Sequence, residues 1–338
     1  MKQARIHGPG DVRLDEIPEP EAAPDDVILA VSACGICGSD VGYAKLGGVQ
    51  GPAPEPMPIG HELAGTVIEV GANCRAVATV GDRVVLHPGA AGFGLGNGGP
   101  EGGFTPRLLV RGAARGKSLF PIPDDMPFEL AALAEPLGVG MHAVDQAEAS
   151  PGDRVAVLGA GPIGLAAVAT LADRGIEDVV AIDLSDTRLE IARKLGARET
   201  INPGREDPWE ALGRHHGSDR FYWTDVVGTN VFIEATGVGP LLAQVVERAA
   251  PGGRVSVVAL HRKKVELDFM LVLMKELTLR GSIEYPERYE TMIEMIARRD
   301  LSAMITHRYA LDDFLEAFET ASSPDAGAKV MIDIGGDG

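Results

Sequence analysis

Cysteine is scarce: three in 338 residues, at positions 34, 37 and 74. Three thiols cannot make a disulfide framework, so a reducing, cytoplasmic setting is expected. Nor can they close an all-cysteine structural zinc site, which needs four ligands. Basic charge is also in deficit, with 31 Lys and Arg against 49 Asp and Glu and a formal charge of −18. Such a surface repels phosphate backbones and anionic lipid, so neither nucleic acid nor membrane is expected as a partner. The first twenty residues have no apolar run after their charges and do not read as a signal peptide. One uncharged run of membrane-spanning length exists, residues 155–172, but its Gly-Ala-Gly-Pro centre predicts a strand, a turn and a buried helix instead. What is present is 45% apolar composition over a length that suits two folded domains.

The chain changes texture once. Residues 1–120 hold short apolar segments (26–33, 63–71, 81–88) broken by Gly, Pro and Asp turns, which predicts a compact β barrel or sandwich. Residues 47–60 and 89–103 lack any period and read as loops. From about 143, strands (154–160, 178–183, 230–237, 252–260) alternate with helices (162–175, 185–197, 239–250). That alternation predicts an α/β fold with a parallel sheet covered on both faces. Two helices and a strand at 328–335 follow from about 285.

Within the alternating half, "GAGPIG" (Gly159, Gly161, Pro162, Ile163, Gly164) follows an apolar strand and opens an apolar helix. This is the context in which G-x-G-x-x-G binds a dinucleotide: a tight turn, room for the pyrophosphate, and close helix–strand packing. The helix amino terminus offers free N–H groups to the phosphates. Asp183 ends the next strand, 19 residues after Gly164. A carboxylate there accepts hydrogen bonds from ribose hydroxyls and repels a 2′-phosphate, favouring NAD over NADP. Arg188 is read as a ribose neighbour and Thr236, in "EATG" (234–237), as a border of the cofactor cleft.

Cys34 and Cys37 could be a redox pair, but catalytic zinc needs only three mixed ligands and an open position. Cys37, His61 and Glu135 would supply thiolate, imidazole and carboxylate, although spacing alone does not single them out. Here the ordered motifs "CGICGSD", "GHELAGTVIEVG", "VGDRV", "AALAEPLGVGMHAV", "GDRVAVLGAGPIG" and "KVMIDI" resemble the zinc-dependent medium-chain dehydrogenases over nearly the whole chain, with the sorbitol and butanediol dehydrogenase branch most similar. The resemblance implies a GroES-like β-barrel catalytic domain (1–142 and 285–338) and an inserted Rossmann domain (143–284) with a six-stranded parallel sheet. It also implies one catalytic zinc on Cys37, His61 and Glu135, with Glu62 approaching from behind, Ser39 taking the substrate's proton, and Asp40 orienting the histidine. The implied reaction oxidises a secondary alcohol of diol, polyol or cyclitol type, a small-molecule substrate, to a ketone with hydride transfer to NAD. A homodimer or homotetramer is implied as well, because residues 277–283 form the sheet edge that pairs between subunits in the family.

Three departures from the family stand out. No cysteines occupy 87–104, where many relatives hold a structural zinc, so that lobe must be ordered by other means. Gly42 replaces the histidine that often ends the proton relay. Residues 220–230 are longer and more aromatic than the usual link into the fourth strand, and the neighbouring His215 and His216 read as solvated. Tyr43 and Phe93 are candidates for the pocket wall. Two other readings remain open on the residues: a zinc-independent enone or quinone reductase using NAD(P)H, and a non-catalytic nucleotide-binding protein.

Overall fold

The computed structural model describes residues 1–90, 94–323 and 327–335. Phe93 lies outside the described residues. The chain divides into two units, Met1–Glu135 with Arg288–Gly338, and Pro136–Glu287.

In the first unit a seven-stranded sheet runs through Ile305–Ala310, Lys329–Asp333, Val27–Gly35, Glu62–Val70, Arg83–Leu86 and Leu119–Pro121, with Arg107–Val110 also paired to Val27–Gly35. Strand Val27–Gly35 is buried at eight of nine positions. It therefore lacks the polar–apolar alternation of a one-sided strand: both its faces are covered. Leu29, Val31, Leu63, Leu86, Phe104, Phe314 and Ile332 belong to the core it crosses. Its register decides the site. Gly35 is opposite Glu62 on one side and Met331 on the other, and Ile36 N–H continues the ladder to Val330 O at 2.9 Å. Three segments far apart in sequence thus meet where this strand ends.

The second unit holds a six-stranded, wholly parallel sheet ordered Glu199–Ile201, Asp178–Ile182, Arg154–Leu158, Val231–Glu234, Arg254–Val257, Thr278–Gly281. Strands such as Val231–Glu234 are buried along their whole length, as parallel strands between helical layers must be. Helix Pro162–Asp173 is buried at every position from Gly164 to Leu171, which accounts for its apolar, membrane-like composition.

The long aromatic stretch noted at 220–230 takes part in a separate antiparallel hairpin, Ser218–Phe221 paired with Thr224–Val227. Tyr222 and Trp223 form its tip, 69% and 61% exposed, with Tyr222 at φ +52°. His216 is not solvated but 2% exposed. Its Nδ1 lies 2.8 Å from Thr229 Oγ1, and helix Pro208–His216 ends with its ring turned inward while His215 stays exposed.

Candidate metal and cofactor sites

Cys37 is the N-cap residue of helix Gly38–Leu46, and Asp40 sits in that helix's first turn. Asp40 is fully buried and accepts two backbone N–H groups, Cys37 at 2.9 Å and Gly60 at 3.3 Å. It thereby ties the cysteine-bearing turn to the segment entering His61. Burial raises the Asp40 pKa, against the pull of His61 and the two N–H donors. Asp40 Oδ1 lies 3.7 Å from His61 Nδ1, an ion-pair distance rather than a hydrogen bond. Asp40 thus faces His61 by charge and is hydrogen-bonded to the backbone of Cys37 and Gly60.

Cys37, His61 and Glu62 each place one ligand atom within 4.8 Å of the others. Such spacing is compatible with sharing one ion at zinc–ligand distances of roughly 2.0–2.3 Å. Glu135 is outside that trio. It is buried in the first turn of helix Ala134–Gln146, where a carboxylate suits the helix amino terminus, and its charge acts on His61, Tyr289 and Lys329. Burial opposes a charge on His61, yet Asp40, then Cys37, then Glu135 together carry its pKa well above the ordinary histidine value. A pocket of sulfur, nitrogen and carboxylate donors this close together fits a divalent zinc ion. Ser39 Oγ lies 3.5 Å from His61 Nε2, beside the same donors.

Two neighbours are not marked as site residues by the sequence, although Lys329 opens "KVMIDI". Lys329, 1% exposed, donates to Glu62 Oε1 at 2.6 Å and to Ile36 O at 3.1 Å. Burial works against its charge, but Glu62 first, then Cys37, hold its pKa above that of an ordinary lysine. Gly35 makes the pair possible, because a Cβ there would overlap Glu62 Oε2 and reach Lys329 Cδ at 3.2 Å. Tyr289 donates to Leu86 O at 3.1 Å and packs against His87 and Phe120. Burial, then the charges of Glu135 and Glu62, raise its pKa well above the usual phenol. A lysine heading an apolar strand and a tyrosine beginning a helix look ordinary until register brings them inward. Tyr43 donates to Asn97 Oδ1 at 3.1 Å.

The cysteine-free lobe is ordered, among its described residues, by close backbone approach. Gly103 N–H donates to Gly60 O at 2.8 Å, Ile59 bridges Asn97, and Cβ atoms at Gly96 and Gly102 would overlap Gly60 O and approach Ile59 O to 2.5 Å.

In the second unit Gly159 turns at φ +94°. A Cβ on Gly164 would overlap Gly159 O, while one on Gly161 would meet open space, the room a pyrophosphate needs. Gly161 is the N-cap and Pro162 opens the helix, with Ile163 half-buried behind it. Asp183 Oδ2 accepts Ala160 N–H at 2.7 Å and Oδ1 accepts Ser185 N–H at 2.8 Å. Arg188 lies one turn into the helix that Ser185 caps. Thr236 is exposed, its Cγ2 3.0 Å from where a Gly159 Cβ would stand. The glycine turn, Asp183 and Thr236 thus share the carboxyl ends of three adjacent strands, where open α/β sheets bind dinucleotides.

Comparison with known proteins agrees with this geometry. Residues 23–124 match the alcohol dehydrogenase GroES-like domain and residues 162–298 the zinc-binding dehydrogenase family. Mouse sorbitol dehydrogenase is 34% identical over 97% of this chain and 94% of its own length. The crystal structure of 2R,3R-butanediol dehydrogenase from Bacillus subtilis superposes with a TM-score of 0.85 at 30% identity, covering 98% of this chain and 99% of that one. A Sinorhizobium meliloti 1021 structure bound to NADP does so at 0.84 and 28%, covering 98% of each chain. The chain is thus a member of the zinc-dependent medium-chain dehydrogenases, in the sorbitol and butanediol dehydrogenase branch.

Proposed function

We propose that the chain oxidises a secondary alcohol of a diol, polyol or cyclitol to a ketone, using NAD and a single zinc ion held by Cys37, His61 and Glu135. The observation that carries this reading is the buried pocket of Cys37, His61 and Glu62 with the Glu135 charge beside it. When bound, zinc supplies the Lewis acidity that lowers an alcohol's pKa, and NAD supplies the hydride acceptor. Ser39 takes the substrate proton. Gly42 has no side chain to extend a relay, so the proton leaves the half-buried Ser39 hydroxyl for solvent. Lys329 pairs with Glu62, and Glu135 would be the carboxylate that joins Cys37 and His61 in holding zinc. The names of the relatives, sorbitol and 2R,3R-butanediol dehydrogenase, support vicinal hydroxyls as the substrate class.

The preference for NAD rests on the Asp183 carboxylate, whose charge stands where a 2′-phosphate would need a cation. The NADP-bound relative sets the contrast to test: kcat/KM for NAD should exceed that for NADP at least about tenfold, and Asp183→Ser should erase the margin. Metal analysis should give about one zinc per chain. Cys37→Ala should lose the ion and at least about a thousandfold in kcat; full activity after chelation would overturn the metal assignment and favour a zinc-free reductase.

Self-association is proposed through strand Thr278–Gly281, the last in its sheet. Phe269, Met270 and Leu273 of the preceding helix are 71%, 59% and 73% exposed in the single chain, the composition of a buried interface.

A further inference from the structure

Glu234 is fully buried at the carboxyl end of its strand, yet no part of the proposed chemistry uses it. Its Oε1 accepts Thr236 N–H at 2.8 Å, Gly237 N–H at 2.9 Å and the Thr236 hydroxyl. Its Oε2 pairs, among the described residues, with His261 Nε2 at 2.8 Å. His261 comes from the segment after the neighbouring strand Arg254–Val257, and Val258 and Ala259 donate to Glu234 O from the same segment. One carboxylate therefore shapes the turn at 235–238 with one oxygen and fastens the following crossover segment with the other. That turn is the wall of the glycine turn, since Ala235 O and Thr236 Cγ2 both stand 3.0 Å from a Cβ built on Gly159.

Position in the sheet says which part of a dinucleotide this turn faces. Asp183 and the glycine turn belong to the half formed by Arg154–Leu158, Asp178–Ile182 and Glu199–Ile201. Glu234 and His261 belong to the other half, and the strand order reverses between Arg154–Leu158 and Val231–Glu234. A dinucleotide straddles that reversal with one nucleotide on each half. Asp183 marks the adenosine half, so the Glu234 turn faces the nicotinamide half.

We infer that His261 is a positioning residue: through Glu234 it holds the 235–238 turn in the shape that receives the nicotinamide half of the cofactor. Without the imidazole, a buried carboxylate oxygen loses its partner, and the turn is free to pivot on the contacts left at Oε1. The inference rests on the proposed cofactor reading.

The test uses the zinc-loaded full chain and two probes, NADH by fluorescence titration and 5′-AMP by calorimetry. His261→Ala should weaken NADH roughly tenfold and leave 5′-AMP within about twofold. His261→Gln, which retains an N–H donor, should restore most of the NADH affinity. Glu234→Gln, isosteric and uncharged, should show the same selective loss if His261→Ala does not fold. Unchanged NADH binding in His261→Ala, or equal weakening of both probes, would overturn the inference. A wild-type chain that binds neither probe would remove the cofactor reading and this proposal together.

Discussion

At the scale of single residues, the site is a balance of buried charges. Glu62 and Lys329 are each 1% exposed and face one another. Removing one member of such a pair leaves the other unpaired in a low-dielectric setting, at a cost of about 3–5 kcal/mol. Lys329→Met should therefore lower unfolding free energy by about that much in urea titration, and Glu62→Gln with Lys329→Met should regain a large part of it. His216 sets a second balance. Burial, opposed by Asp178, lowers its pKa to about 4 from an ordinary 6.5. The native imidazole refuses a proton that the unfolded chain accepts, so between those values the unfolded state binds more protons. Stability is therefore lost as pH falls from about 6.5 to about 4, on the order of 3 kcal/mol in total. His216→Asn should flatten that part of a Tm–pH profile; a parallel profile would show that other groups set the slope.

At the scale of elements, the turn before helix Pro162–Asp173 is the most constrained piece of backbone. Because a Cβ on Gly164 would overlap Gly159 O, Gly164→Ala should open the turn and weaken NADH binding at least about tenfold in a fluorescence titration. This turn was legible from residues alone, because a strand, three spaced glycines and an apolar helix are contiguous and their physics is local. The hairpin at 218–227 was not legible: "RFYWTD" has no alternation, and a tip with positive φ at Tyr222 gives no glycine to announce it. Lys329 and Tyr289 stayed hidden for a different reason. Their burial follows from sheet register and from contacts nearly 270 and 203 residues away in sequence, which no window of residues reports. His216 was misread because a His-His pair at a helix end looks polar until only one ring turns inward.

At the scale of the molecule, the two-part organisation followed from the change of texture near residue 143. No helix among the described residues is long and apolar enough to cross a membrane, in keeping with the reading of residues 155–172 as strand, turn and buried helix. Assembly is where the single chain leaves apolar area uncovered. Phe269→Glu with Leu273→Glu should shift a light-scattering mass from dimer or tetramer to monomer while leaving the far-ultraviolet circular dichroism unchanged; an unaltered mass would place the interface elsewhere. The lobe at 94–103 bears on handling the protein. It leans on Ile59 and Gly60 through bare main chain, with no sulfur at any position. Air or peroxide has no clasp to unfasten there, so reductant should not be needed to keep that lobe's shape.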